Sequence, residues 1–274
     1  MTKKLVVIPT YNESENIADI ISDILKLNLD ILIVDDNSPD NTSKIVMEHK
    51  EFDSKVFLLS RKEKLGLGSA YREGFQKGIN MKYEYFIQMD ADFSHRVEDL
   101  KLMINQTENK DVIIGSRYID GGKIIGWSKR RHLLSFIANL YSKLLTFSNV
   151  SDMTSGFRIY RLDALEKIRY TETKSNGYAF QIEMTVLCLI NKLNIKEIPI
   201  TFNERREGKS KMSKSVVFEA FPKVLFLSLL RIKSIFTPES LNNNQDRNFG
   251  TYYKLFNLSN STKYSIKISD LFKR

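Results

Sequence analysis

The chain has 274 residues, of which 42% are hydrophobic, and 42 Lys and Arg stand against 33 Asp and Glu for a net charge of +9. Its length allows a substantial core, and its apolar content excludes a disordered chain. A single cysteine, Cys188, excludes both a disulfide framework and a cysteine-rich zinc site.

In chain order, short apolar runs at 5–8, 31–34, 56–59, 85–89 and 112–114 read as buried strands, and amphipathic stretches at about 14–27, 41–50, 68–80 and 96–108 read as helices. The alternation predicts an α/β fold with parallel strands. A helix over 129–148 opens on Lys129, Arg130 and Arg131; strands follow at 156–160 and 195–202, with a helix at 179–193 between them. Cys188 sits in the apolar run of that last helix and is expected in the core.

The stretch 216–236 is rich in Phe and Leu but is broken by Glu219, Pro222, Lys223, Arg231 and Lys233, so it is not a membrane span. Two readings stay open: an amphipathic helix packed on the domain, or an interfacial helix with a basic edge that forms the main membrane contact. The apolar part of the N-terminus is too short for a signal peptide, which implies a cytoplasmic protein. We expect one domain over 1–212, the amphipathic helix over 213–236, and a linker with a weakly structured basic tail over 237–274.

The charge is unevenly placed. Residues 1–116 are net −5, whereas 117–143 and 196–236 are each net +5 and 237–274 net +3. Nucleic-acid binding predicts a basic stripe with interleaved aromatics, and the acidic N-terminal half argues against it. An anionic membrane surface or a phosphorylated ligand fits better.

Ligands of open α/β sheets bind beyond the carboxyl ends of the strands, where this chain carries polar clusters. Pro9-Thr-Tyr-Asn-Glu13 follows the first strand and can serve as a turn and helix cap. Asp35-Asp-Asn-Ser-Pro-Asp40 follows the second: either a surface turn, or a site where one carboxylate binds ribose hydroxyls or a base edge. Asp90 and Asp92 end the fourth strand at i, i+2 and can project to the same side. Hard oxygen ligands so placed suit Mg²⁺ or Mn²⁺ bridging a diphosphate; a solvated acidic turn is the other reading, and the buried apolar strand that feeds into the pair favours the metal. His95, just beyond, is read as a helix-start residue ahead of a ligand. Gly66 and Gly68 open a helix and serve either phosphate approach or tight packing. Arg117, the pair Arg130 and Arg131 ahead of Ser135, and the cluster from Arg205 to Lys211 each read singly as solvated surface cations; as a set placed after strand ends opposite an acidic motif, they suit phosphate binding.

With these motifs in place, the sequence resembles the polyprenol- or dolichyl-phosphate mannosyltransferases, family 2 glycosyltransferases of GT-A fold. The resemblance rests on the Pro9, Asp35, Gly66 and Asp90 motifs together with Gly115-Ser-Arg117-Tyr118, Thr154-Ser-Gly-Phe-Arg158, Gln181-Ile-Glu183 and Arg205…Gly208-Lys-Ser-Lys211, spread over residues 5–212. It implies metal-dependent, inverting transfer of mannose from GDP-mannose to a polyprenyl (dolichyl) phosphate on the cytosolic face of a membrane. Pro9, Tyr11, Glu13 and Asp36 would hold the nucleoside, with Val34 and Ala91 beside the donor. Asp90 and Asp92 would hold Mg²⁺ or Mn²⁺; Ser94 stands where some members carry a glutamine ligand and is left open as a third. Arg205 and Lys211 would close over the donor phosphates, and Arg117, Arg131 and Ser135 would grip the acceptor phosphate. Asp92, Arg117, Arg205 and Lys211 are the expected catalytic set, with a minor role for Glu183 in orienting an arginine or touching the sugar. Two alternatives remain: a UDP-glucose-dependent glucosyltransferase of the same branch, and a non-catalytic membrane-binding protein.

Overall fold

A computed structural model describes residues 2–177, 179–205 and 214–236, the last helix with side chains from 221 onward. Its elements are β1 (Lys4–Thr10), α1 (Ile17–Leu25), β2 (Asp30–Asp35), α2 (Thr42–Met47), β3 (Val56–Ser60), α3 (Leu67–Asn80), β4 (Tyr85–Gln88), α4 (Val97–Ile104), β5 (Val112–Ser116), β6 (Lys123–Ile125), α5 (Lys129–Leu145), β7 (Arg158–Arg161), α6 (Leu162–Lys167), α7 (Ala179–Ile190), β8 (Ile195–Pro199), β9 (Thr201–Asn203) and α8 (Lys214–Phe236). The expected linker and tail at 237–274 lie outside the described residues.

Seven strands form one sheet in the order β3-β2-β1-β4-β7-β5-β8, and β6 pairs with β9 in a second, two-stranded sheet. The strands of the first half are parallel, as their alternation with helices implies. β7 is not: it runs antiparallel between β4 and β5, with Arg158 opposite Gln88. The single strand expected over 195–202 is two. β8 belongs to the large sheet and β9 to the small one, and they part after Pro199, which has no N–H to continue a ladder.

Period-two burial builds a core on each face. Leu5 and Val7 face one layer with α3 and α7, while Val6 and Ile8 face the other with Ile17, Ile20, Ile21 and Ile24 of α1. Gly74 and Gly78 let α3 lie close on the sheet, since a Cβ would come within 2.5 Å of Val7 and 2.6 Å of Leu5 and Phe86. Cys188 is buried as expected, and burial pushes its thiol up to about 12. α8 packs over α7 and α5: Val224, Leu227 and Ser228 are buried, and Arg231 donates from Nη1 to the Leu189 carbonyl at 3.1 Å.

α5 is inverted. Its buried stripe is Ser135, Asn139 and Ser142, continued by Thr146 beyond its end. Leu133, Leu134, Phe136, Ile137, Leu140 and Leu144 point outward, each at least 40% exposed. A water-facing helix has the opposite pattern. The sequence reading left α8 between packing on the domain and an interfacial role; among the described side chains α8 packs on its neighbours in part, and the longer exposed apolar stripe lies on α5.

Candidate active site

The strand-end motifs converge at the carboxyl ends of β1, β2, β4 and β5. Asp35 and Asp40 hold the backbone together there. Asp35 accepts from the hydroxyls of Thr10, Ser38 and Ser43 at 2.7, 2.6 and 2.7 Å, and Asp40 from the Thr42 hydroxyl at 2.6 Å and the Ser14 amide at 3.0 Å. Of the acidic run, Asp36 faces a different partner. Arg61 donates to it from Nε at 2.6 Å and from Nη1 to Ser69 and Glu73 at 2.8 and 2.9 Å. Burial raises the Asp36 carboxyl above its usual range, against the opposing pull of Arg61. Nearby, the Lys64 ammonium lies 4.1 Å from the centre of the Tyr11 ring, and the Glu13 amide donates to Thr42 Oγ1 at 3.0 Å.

The glycines that open α3 resolve toward packing. A Cβ at Gly68 would lie 2.2 Å from the Ser175 carbonyl oxygen, and one at Gly66 2.8 Å from that of Asn176. Glu183 is fully buried and accepts from the amides of Lys174 and Ser175, at 3.1 and 2.8 Å, so it shapes this same loop.

Beyond β4, Asp92 Oδ1 accepts from both the amide and the hydroxyl of Ser94, at 3.1 and 2.6 Å. Its Oδ2 lies 3.3 Å from Arg205 Nη2. The Asp90 side chain is 39% exposed, and the Asp90 amide donates to Nδ1 of the buried His95 at 3.1 Å. His95 stacks on Phe157, and burial lowers its pKa to about 4, which leaves the ring neutral at pH 7. It braces the turn from below. Among the described residues no cluster of three or more His, Cys, Asp or Glu side chains is suited to a metal. Two hard carboxylates, with the other coordination positions left to water and phosphate, fit Mg²⁺ or Mn²⁺.

The two cations expected at the acceptor phosphate, Arg117 and Arg131, meet around Trp127. Its ring lies 4.1 Å from the Arg131 guanidinium and 5.9 Å from that of Arg117. Arg117 forks onto the buried Asp152, Nε to Oδ2 at 2.7 Å and Nη2 to Oδ1 at 2.8 Å. Burial would raise the Asp152 carboxyl, but Arg117 more than offsets this and holds it below the usual carboxylate range. Arg131 Nη1 reaches Glu204 at 3.1 Å, and the buried Ser135 shares a 3.0 Å hydrogen bond with the Tyr118 hydroxyl. β9 joins the two halves: the Phe202 ring packs edge-on to His95 and lies 5.3 Å from the Arg117 guanidinium, while the Asn203 amide donates to the Ser94 carbonyl at 3.1 Å.

Residues 5–169 match the family described as Glycosyl transferase family 2. The chain belongs to that family. Polyprenol monophosphomannose synthase of Mycolicibacterium smegmatis is 42% identical over 81% of this transferase and 85% of its own length. Undecaprenyl-phosphate mannosyltransferase of Micrococcus luteus is 39% identical over 79% and 90%. Among solved structures, glucosyl-3-phosphoglycerate synthase of Mycobacterium tuberculosis, in complex with Mn²⁺, UDP-glucose and phosphoglyceric acid, superposes with a TM-score of 0.62 at 15% identity, over 84% of this chain and 79% of that one. The likeness establishes a GT-A fold for the transferase.

Of the residues expected at the site, the transferase brings Asp92 and Arg205 together, and likewise Arg117 and Arg131. The Val34 side chain is buried against α3, and Ala91 is packed in the opposite core, so neither side chain is open to a ligand and the donor contacts expected of them would fall to their main chains. Lys211 lies outside the described residues. Arg61, Trp127, Asp152, Phe202 and Glu204 were not expected there. Asp152 had a signal, standing two residues before the Thr154-Ser-Gly-Phe-Arg158 motif. Trp127, the chain's one tryptophan, had one too, lying between Arg117 and Arg131.

Proposed function

We propose that this glycosyltransferase moves mannose from GDP-mannose to a polyprenyl monophosphate at a membrane surface, with inversion at the sugar carbon. The two mannosyltransferase relatives support the sugar and the acceptor class. The observation that carries the reading is α5. The helix begins at the cations Lys129, Arg130 and Arg131 and continues as an outward apolar stripe from Leu133 to Leu144. A ligand with an anionic head and a long apolar tail matches that order. Anionic headgroups would meet the exposed Lys129 and Arg130, and acyl chains the apolar stripe. Among the described residues no helix is long and apolar enough to cross a membrane, so contact would be made from the surface.

In the reaction an acceptor phosphate oxygen attacks the anomeric carbon, and the bond from that carbon to the GDP oxygen breaks. The nucleophile is already anionic near pH 7, so no strong general base is required. Arg117 and Arg131 would hold and orient the acceptor phosphate. Asp152 fixes the fork of Arg117, and the Trp127 ring lies 5.9 Å from the Arg117 guanidinium and 4.1 Å from that of Arg131. Arg205, with Lys211, would bind the departing diphosphate. Asp90 and Asp92 would hold the divalent ion, which neutralises charge on that diphosphate when bound. Asp36, braced by Arg61, and Tyr11, with Pro9 and Glu13, would bind the nucleoside.

The deciding assay mixes the protein with Mg²⁺, a polyprenyl phosphate and labelled GDP-mannose or UDP-glucose. Label from GDP-mannose in the lipid extract is expected. Label from UDP-glucose alone would change the donor, and none from either would overturn the reading.

A further inference from the structure

Arg117 owes its orientation to Asp152, and Asp152 lies on a turn that has no regular secondary structure of its own. Two residues from distant elements hold that turn. From α5, the buried Asn139 donates from Nδ2 to the Ser151 carbonyl at 2.5 Å and accepts at Oδ1 from the Met153 amide at 2.8 Å. From β8, Glu197 accepts from the amides of Ser151 and Asp152, at 2.7 and 2.9 Å. Between them they engage main-chain groups of Ser151, Asp152 and Met153. The next residue, Thr154, adds its hydroxyl to Arg117 Nη2 at 2.8 Å, and Asp152 also takes the Arg117 amide at 3.0 Å.

Asn139 is costly in its position. It is 4% exposed on the polar inner stripe of an inverted helix, where a leucine would bury apolar area without needing partners. Its amide matches one main-chain donor and one main-chain acceptor of the turn. Glu197 places a carboxylate across two consecutive amides, an arrangement that fixes their direction.

We infer that Asn139 and Glu197 are positioning residues for Arg117, acting from α5 and β8 through the Ser151–Thr154 turn. Asn139 thereby ties the helix with the outward apolar stripe to the cation proposed for the acceptor phosphate. The inference rests on the acceptor reading of Arg117 given above.

The test is a pair of double-mutant cycles in the full-length chain, with transfer measured against acceptor and donor concentration separately. Asn139→Ala and Glu197→Gln are each expected to raise the acceptor KM about tenfold and to leave the donor KM within about twofold. In an Arg117→Ala background each should add less than about twofold, because the group it positions is gone. Effects that multiply in that background, or that fall equally on both substrates, would overturn the inference and leave the proposed function standing. An Arg117→Ala enzyme with an unchanged acceptor KM would instead overturn the acceptor reading, and the inference with it. No transfer by the wild-type chain from any donor would remove the function. Glu197 is only half-buried, so Glu197→Gln carries the test if Asn139→Ala does not fold.

Discussion

Arg61 donates from Nε to Asp36 Oδ1 at 2.6 Å, and both side chains are under 10% exposed. The pair joins the start of the β3–α3 connection to the end of β2, where the nucleoside would sit. Truncating one partner of a buried ion pair leaves a charge without compensation, at a cost of about 3–5 kcal/mol. Arg61→Met should therefore lower the melting temperature clearly. It should also weaken GDP binding about tenfold or more, because Asp36, already raised by burial, would take up a proton more readily. Calorimetric titration with GDP at pH 6 and pH 8 checks this: the loss is expected to be larger at pH 6. Wild-type affinity at both pH values would remove Asp36 from the nucleoside site.

The sequence exposed what is local. Asp90 and Asp92 stand two residues apart at a strand end, and the strands of β1 and β2 are contiguous apolar runs because both their faces are covered. Arg61 and Phe202 reach the site from segments with no signature of their own, and although Asp152 and Trp127 stand near motifs, their partners become visible only in three dimensions. The direction of β7 was hidden for a related reason, since four residues of strand pattern do not specify which neighbours they pair with. α5 shows the limit of periodicity. Helical spacing says which residues share a face, and it does not say which face is covered.

The metal reading ranks three substitutions. Asp92→Ala and Asp90→Ala should each lower the rate by about 10²–10³-fold and weaken Mn²⁺ binding. Ser94→Ala should cost less, because the Ser94 hydroxyl bonds to Asp92 Oδ1 and chiefly orients that carboxylate. Mn²⁺ binding followed by electron paramagnetic resonance, beside transfer rates, checks the ranking. An Asp92→Ala protein that keeps full turnover would sink the assignment.

The apolar stripe of α5 predicts where the protein meets lipid. Burying a Leu or Ile side chain is worth about 1.5–3 kcal/mol, and an interfacial helix realises part of that. A Leu133→Ser, Ile137→Ser, Leu140→Ser variant should bind anionic vesicles at least tenfold more weakly in sedimentation assays. These side chains point away from the core, so its melting temperature should stay close to that of the wild type. The matching change on α8, Phe221→Ser with Leu225→Ser, should weaken binding less. If the α8 change proved the larger, the main membrane contact would return to that helix.

Asp152 gives the fold an acid-sensitive component. Burial alone would raise its carboxyl, yet Arg117 holds the folded-state value below the usual range of about 3.9. At acid pH the unfolded chain therefore binds the proton more readily than the folded one. The stability contributed by this carboxylate is full above about pH 4 and is lost as pH falls through the lower folded value. Asp152→Asn removes the charge and leaves Arg117 buried without its carboxylate. The melting-temperature gap between wild type and variant should thus be widest near neutral pH and narrow below about pH 4. A gap that stayed constant from pH 7 to pH 3 would show that Asp152 is not held ionised by Arg117.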